Sequence, residues 1–168
     1  QKGTLDMIHA VAAMWAGIVP VGEVEFGLPF AYNIPGDKGI IETGGILRRF
    51  FFRSGFVDLL RDEYGNQGLY WLDMHSYGKL FTMSTTPIVT CEDIKGKKLR
   101  ASGAIHTQIV KALGGVPVGM PAPEIPIAMQ KGTIDGLLMG WSFIKAFRTE
   151  KMTASVTLLD ASGFMAGM

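Results

Sequence analysis

Cysteine is nearly absent from this chain of 168 residues, which contains Cys91 alone. A single cysteine cannot form an intramolecular disulfide, and it cannot supply the several thiolates of a structural zinc site. We therefore expect Cys91 to be an inert thiol in a loop.

Catalytic motifs are also lacking. The sequence contains no GxSxG, no HExxH, no P-loop and no GxGxxG after a strand. His9, His75 and His106 are scattered along the chain, and Asp73 near His75 is typical of a surface pairing. The sequence therefore predicts a protein that is not an enzyme and that uses no cofactor or metal.

Excess charge and long apolar runs are missing as well. The formal net charge is +1 with both signs interspersed, so nothing indicates a nucleic-acid partner or an anionic membrane surface. No apolar run is long enough to cross a bilayer, and no signal peptide is recognisable. An apolar content of 48% against 18% charged residues excludes intrinsic disorder.

Strand and helix patterns alternate regularly between residues 93 and 141. Strands are predicted at 98–101, 116–120 and 134–139. Between them lie an amphipathic helix with an apolar face and a helix whose opening turn is rich in proline. A further helix begins at Trp141. This alternation is typical of a parallel α/β lobe.

A repeated phrase indicates a second lobe. QKGTLD at 1–6 is almost the same as QKGTID at 130–135, where a helix ends and a strand begins. The second copy follows two strand-helix units, whereas nothing precedes the first copy. We therefore expect a chain that begins inside a lobe whose opening units are missing, with residues 1–77 in lobe I, 78–163 in lobe II and 164–168 starting a segment that crosses back.

The remaining stretches complete the predicted lobe I. A first strand is expected at 5–10, with His9 and Trp15 near its carboxyl end and facing the cleft, although His9 could equally be a core imidazole. Phe30 is either cleft wall or plain core.

Helical periodicity covers 37–64, and Gly44-Gly45 and Ser54-Gly55 are expected to break it. Strands are predicted at 69–72 and 80–83. A capping box is predicted from Thr90 to Asp93.

These motifs together resemble the DctP-type solute-binding receptors of TRAP transporters. EDIKGKKLRASG at 92–103 and VKALGGVPVGMPAPEIPIAMQKGTIDG at 110–136 carry the resemblance, with QKGTLDM and EFGLPF upstream. The resemblance implies a two-lobed α/β fold of the periplasmic binding protein type (type II-like), here incomplete at both ends. It also implies a periplasmic receptor that delivers a small organic acid to the membrane subunits of a TRAP permease, without catalysis.

Arg100 matches the family's signature arginine, which the resemblance assigns to the ligand carboxylate. A planar guanidinium meets both carboxylate oxygens, and desolvation in a closed cleft strengthens such bonds. The alternative is a surface arginine at the end of a basic strand edge that also contains Lys95, Lys97 and Lys98.

Three departures from the family pattern bear on ligand choice. Met139 stands where many members have asparagine, Ala122 replaces a common aromatic residue, and Lys79 beside Leu80 stands where many have a second arginine. With Trp141 nearby, the pocket is expected to be apolar. A monocarboxylate with an apolar or aromatic body is therefore predicted rather than sialic acid or a short dicarboxylate. A LysR-type effector-binding domain or another two-lobed sensor is the alternative function.

Overall fold

The computed structural model describes residues 7–9, 17–22, 24 and 40–167, and of residues 40, 142 and 159–167 it describes the backbone alone. Trp15, Phe30 and the phrase at 1–6 lie outside the described residues. Of the predicted first strand, only residues 7–9 are described, and they form no regular element.

Two helices begin the continuously described range 40–167. Helix α1 spans Ile40–Arg53 and helix α2 spans Phe56–Gly65, so the predicted break at Ser54-Gly55 is confirmed. The predicted break at Gly44-Gly45 is wrong. A Cβ atom on Gly44 would lie 2.5 Å from Cβ of Ser76, so this glycine lets α1 approach a strand closely instead of ending the helix.

A five-stranded mixed sheet follows, in the spatial order β3-β2-β4-β1-β5. Its strands are β1 (Met74–Ser84), β2 (Lys98–Arg100), β3 (Val116–Val118), β4 (Gly136–Gly140) and β5 (Ser155–Gly167). Helices α3 (Gly103–Ala112), α4 (Ile125–Gln130) and α5 (Ser142–Ala146) alternate with them. Strands β2, β3 and β4 pair in parallel, whereas β1 runs antiparallel to β4 and β5. The predicted alternation between 93 and 141 is confirmed.

Two short 3-10 turns beside the sheet lie where the sequence predicted a capping box and a proline-rich helix start. Thr90 and Asp93 form the predicted capping box at the 3-10 turn Cys91–Ile94. A second 3-10 turn at Ala122–Glu124 leads into α4, with proline in its first positions as predicted. Cys91 is an exposed free thiol.

The predicted strand at 69–72 is wrong. Trp71 is 3% exposed and packs with Leu60 and Tyr64 of α2, which explains the apolar pattern without any strand pairing. The strand predicted at 80–83 is the second half of a longer strand, since β1 begins at Met74. Gly78, with a φ of 84°, lies at an irregularity in the pairing of β1.

Within the described ranges, buried side chains form three clusters. The first joins α1 and α2 to the start of β1 and contains Val19, Leu47, Phe51, Val57, Leu60, Tyr64, Trp71 and Met74. The second packs α4 and α5 against one face of the sheet and contains Met83, Ile125, Ala128, Met129, Ile134, Leu137, Met139 and Ile144. The third packs α3 against the other face and contains Ile88, Ile94, Leu99, Ala101, Val110 and Leu138.

Strand β1 connects two of these clusters, since Met74 near its start belongs to the first and Met83 near its end to the second. The predicted lobe boundary between 77 and 78 therefore falls inside β1, and the boundary between 163 and 164 falls inside β5. The division into lobes at these positions stays a prediction.

Gly136→Ala is expected to destabilise the protein by about 1 to 3 kcal/mol, the usual cost of overpacking. A Cβ atom on Gly136 would collide with the carbonyl oxygen of Met83 and lie 3.0 Å from Cα of Ser84, where β1 and β4 pair. Urea denaturation measures the effect. Gly119→Ala is the matched control, because a Cβ there meets nothing within 4 Å. Equal midpoints for the two variants would contradict this packing.

Candidate ligand-binding site

The order of the parallel strands defines a topological switch point, and open α/β sheets have a crevice at the carboxyl ends of the strands there. From β2 the chain passes through α3 to β3 on one side, and from β3 it returns through α4 to β4 on the other side of β2. After β4 the chain passes through α5 to β5, which lies on the side of β4 away from β2. The connections after β2 and β4 thus leave in opposite directions, and open α/β sheets hold ligands at such a switch point. Arg100 is the last residue of β2, and Trp141 directly follows β4.

Arg100 is held firmly at this crevice. Its side chain donates hydrogen bonds through Nε and Nη2 to the carbonyl oxygen of Met120, each at 3.3 Å. The residue is only 7% exposed, and burial lowers the pKa of the guanidinium below its usual value. Arginine nonetheless stays protonated in proteins, so the crevice contains a buried positive charge.

The charge of Arg100 lacks an acidic partner among the residues that the structure describes. Burial is the single cause of its lowered pKa, and no described carboxylate raises that pKa. A buried charge is costly unless it is paired. Arg100 is therefore a candidate contact for an anion.

His106 is the second ionisable group near Arg100, and sequence reasoning missed it. It lies in the first two turns of α3, is 1% exposed and shares the buried side of the helix with Val110. Burial, and then the charge of Arg100, lowers the pKa of His106 to about 4. The imidazole is therefore neutral at pH 7. The spacing of His106 and Val110 was the signal that this histidine faces the core.

Strand register places Arg100 and Met139 on one face of the sheet. Arg100 pairs with Leu137, two residues before Met139, and Met139 pairs with Phe81 of β1. Side chains of directly paired residues share a face. We call this the Arg100 face, and it is the face covered by α4 and α5.

The predicted apolar residues occupy different depths on the Arg100 face. Met139 is 6% exposed and packs in the second cluster, against which Ala122 is also packed. Trp141 is 57% exposed and stands edge-on to Phe81 with ring centroids 5.6 Å apart. Trp141 is thus exposed at the end of β4, and Met139 is buried within that strand. Ligand contact by Met139, Trp141 and Ala122 stays a prediction.

Lys79 and His9 lie on the side of the crevice formed by β1. Lys79 is partly buried and precedes Leu80, which pairs with Gly140 at the end of β4. His9 is exposed, and its ring centroid lies 4.5 Å from that of His75 on β1. The structure therefore brings two of the scattered histidines together. Their contact with a ligand also stays a prediction.

The expected surface pairing of Asp73 with His75 is wrong, because the main contact of Asp73 is a different residue. Its carboxylate instead accepts hydrogen bonds from Nε and Nη2 of Arg48, each at 2.8 Å. Helix α1 presents Arg48 to the start of β1, and an arginine fork fits a carboxylate better than an imidazole does. This hydrogen bonding is the largest cause of the lowered pKa of Asp73.

Among the residues that the structure describes, no group of three or more His, Cys, Asp or Glu residues could hold a metal ion. In the same part of the chain, no helix is both long and apolar enough to cross a membrane.

Known proteins similar to this chain share its fold. The ectoine/5-hydroxyectoine-binding periplasmic protein UehA of Ruegeria pomeroyi is 25% identical over 98% of this chain and 46% of its own length. A TRAP periplasmic solute-binding protein from Xanthobacter autotrophicus, solved with bound β-D-galacturonate, superposes with a TM-score of 0.82 at 25% identity, over 98% of this chain and 52% of that protein.

The ectoine-binding protein TeaA of Halomonas elongata gives the same TM-score of 0.82 at 22% identity, over 99% of this chain and 52% of that structure. The chain thus spans about half the length of these relatives. The family model for bacterial extracellular solute-binding proteins, family 7 (DctP), matches residues 1–162. The predicted resemblance is confirmed, and the chain belongs to the DctP family of extracellular solute-binding proteins.

Proposed function

We propose that this protein is a periplasmic receptor that captures a small organic acid through its carboxylate and delivers it to the membrane subunits of a TRAP permease. The observation that supports this most is Arg100, a buried cation at the switch point with no described acidic partner. A carboxylate ligand would supply the missing charge in a bidentate, charge-assisted contact. The relatives named as periplasmic binding proteins support the compartment.

The ligand we propose is a monocarboxylate with an apolar or aromatic body. Phe81 and Met139 share the Arg100 face, Trp141 stands edge-on to Phe81, and the small residue Ala122 packs against the same cluster as Met139. A polyhydroxylated ligand would bury unpaired polar groups against these side chains, at about 1 to 3 kcal/mol for each. An apolar body gains roughly 25 cal/mol for each Å² that it buries. The relatives themselves bind diverse solutes, among them ectoine and galacturonate, so they do not select the ligand.

A thermal-shift screen against small organic acids tests the proposed function. The full-length natural protein is expected to be stabilised by carboxylates, because a ligand that binds only the folded state raises the melting temperature. Mass spectrometry of the same mixtures is expected to recover every acid unchanged. Conversion of an acid into a product would contradict the receptor role.

A paired titration with benzoate and gluconate tests the polarity of the pocket. The two probes carry one carboxylate each and nearly the same number of carbon atoms, and they differ mainly in the polarity of the body that would meet Met139 and Trp141. Benzoate is expected to bind at least tenfold more tightly. A preference for gluconate would contradict the apolar pocket.

A further inference from the structure

The described aromatic rings of His9, His75, Tyr77 and Phe143 form a row of consecutive contacts along β1, and Phe143 also stacks on Phe147. His9 and His75 have ring centroids 4.5 Å apart, His75 and Tyr77 4.7 Å, and Tyr77 and Phe143 5.4 Å. The row runs from residues near the start of the chain, along β1, to α5. Contacts of this length are typical of interacting aromatic rings.

A β-bulge directs Tyr77 out of the regular pairing. Between β1 and β5, Ser76 pairs with Met165 and Gly78 with Phe164, which leaves Tyr77 as the extra residue. Gly78, with φ of 84°, permits the local change of direction. Bulges commonly re-aim a side chain beside a functional site.

Register places Tyr77 across the crevice from Arg100. Arg100 pairs with Leu137, β4 ends three residues later at Gly140, and Tyr77 lies three residues beyond the partner of Gly140 on β1. At about 3.3 Å per residue these six steps span roughly 20 Å, which an arginine side chain, a one-ring ligand and a tyrosine side chain together fill. Phe143 packs against the second cluster, so the Tyr77 ring that contacts it lies on the Arg100 face.

The two central rings of the row, His75 and Tyr77, carry little charge at neutral pH. The pKa of His75 is lowered, first by burial and then by the neighbouring His9, with Asp73 opposing the shift. Burial raises the pKa of Tyr77, so its phenol stays protonated. Such a surface suits the uncharged body of a ligand rather than its carboxylate.

We propose that His75 and Tyr77, backed by His9 and Phe143, form a second subsite that stacks on a planar ring of the ligand whose carboxylate Arg100 holds. This inference rests on the proposed function and deepens it, because it names rings on β1 as determinants of selectivity. Arg100 would then supply affinity for any small acid, and the row of rings would supply preference for an aromatic one.

The test compares benzoate with hexanoate, two probes with equal charge and different bodies, by titration of the full-length natural protein. The wild-type protein is expected to prefer benzoate. Tyr77→Leu should weaken benzoate binding at least fivefold and hexanoate binding less than twofold, whereas Tyr77→Phe should retain the preference. His75→Gln is a second variant on the same row, and it should reduce the preference in the same direction if Tyr77→Leu fails to fold.

The outcomes separate the two proposals. Equal effects of Tyr77→Leu on both acids, or no effect on either, would overturn the ring subsite while leaving carboxylate capture intact. If Arg100→Lys failed to bind either acid while the Tyr77 and His75 variants kept the wild-type selectivity, the ring subsite would again be overturned and carboxylate capture would stand. Failure of the wild-type protein to bind any carboxylate would instead overturn the proposed function, and the subsite with it.

Discussion

Arg100→Lys is expected to weaken binding of a carboxylate ligand at least tenfold in the full-length natural protein. Lysine keeps the charge but loses the planar fork, and with it one of two parallel hydrogen bonds to the carboxylate. It would also lose the paired contacts from Nε and Nη2 to Met120 that fix the side chain at the crevice. A charge-assisted hydrogen bond is worth roughly 1.5 to 3 kcal/mol, which corresponds to ten-fold or more in affinity. Calorimetric titration measures the loss.

Arg49→Lys is the matched control for this experiment. Arg49 lies on α1 and is exposed, so the same substitution there changes neither the crevice nor its charge. Affinity should stay within twofold of the wild-type value. If Arg100→Lys and Arg49→Lys bound a carboxylate equally well, Arg100 would have no role in ligand capture.

The free energy of unfolding is expected to fall as the pH decreases from about 6.5 to about 4, mainly because of His106. Its pKa is about 4 in the folded protein against 6.5 in the unfolded chain, so the unfolded chain takes up a proton first. Above pH 6.5 His106 is neutral in both the folded and the unfolded state, so it does not change the free energy of unfolding. Below pH 4 it is protonated in both states, and the loss of stability is complete. The shift corresponds to roughly 3 kcal/mol at 1.36 kcal/mol for each pKa unit.

Carboxylates act in a different pH window. The pKa values of Asp73 and Asp93 are lowered from 3.8, so their stabilising contribution is present above that value and is lost below it. His75 also has a lowered pKa, but its half-buried ring makes a smaller contribution than His106. The loss of stability between pH 6.5 and 4 therefore reports mainly on His106.

Urea denaturation at pH 7 and at pH 4.5 checks this assignment. His106→Leu should remove most of the difference between the two pH values, because leucine fills a buried position without titrating. His75→Gln is the control and should keep most of the difference. An unchanged pH dependence in His106→Leu would show that His106 is not buried beside Arg100.

Local sequence signals predicted the part of the fold in which they agree with one another. Between residues 93 and 141, strand-forming and helix-forming patterns are short, regular and separated by Gly and Pro, and the structure follows them closely. Gly44 and Trp71 show the limit. Each produced a local signal whose cause is a tertiary contact, the close approach of α1 to Ser76 in one case and packing against α2 in the other.

Arg100 is the candidate site residue that the sequence indicated most clearly, and its role in binding stays a prediction. Arg100 follows from its position at a strand exit and from the family motif, and the switch point supports it. The row of rings was not predictable, because His75 and Tyr77 become neighbours of His9 through a bulge and a register that no local pattern encodes. His106 was missed because a buried histidine on an apolar helix face looks like ordinary core.

The most direct test of carboxylate capture is a titration with an acid and its neutral amide, using benzoate and benzamide under identical conditions. The two molecules share the same ring and nearly the same shape, so the difference in affinity isolates the contribution of the negative charge at Arg100. Benzoate is expected to bind at least tenfold more tightly than benzamide. Equal affinity for the two, or tighter binding of benzamide, would contradict carboxylate capture by Arg100.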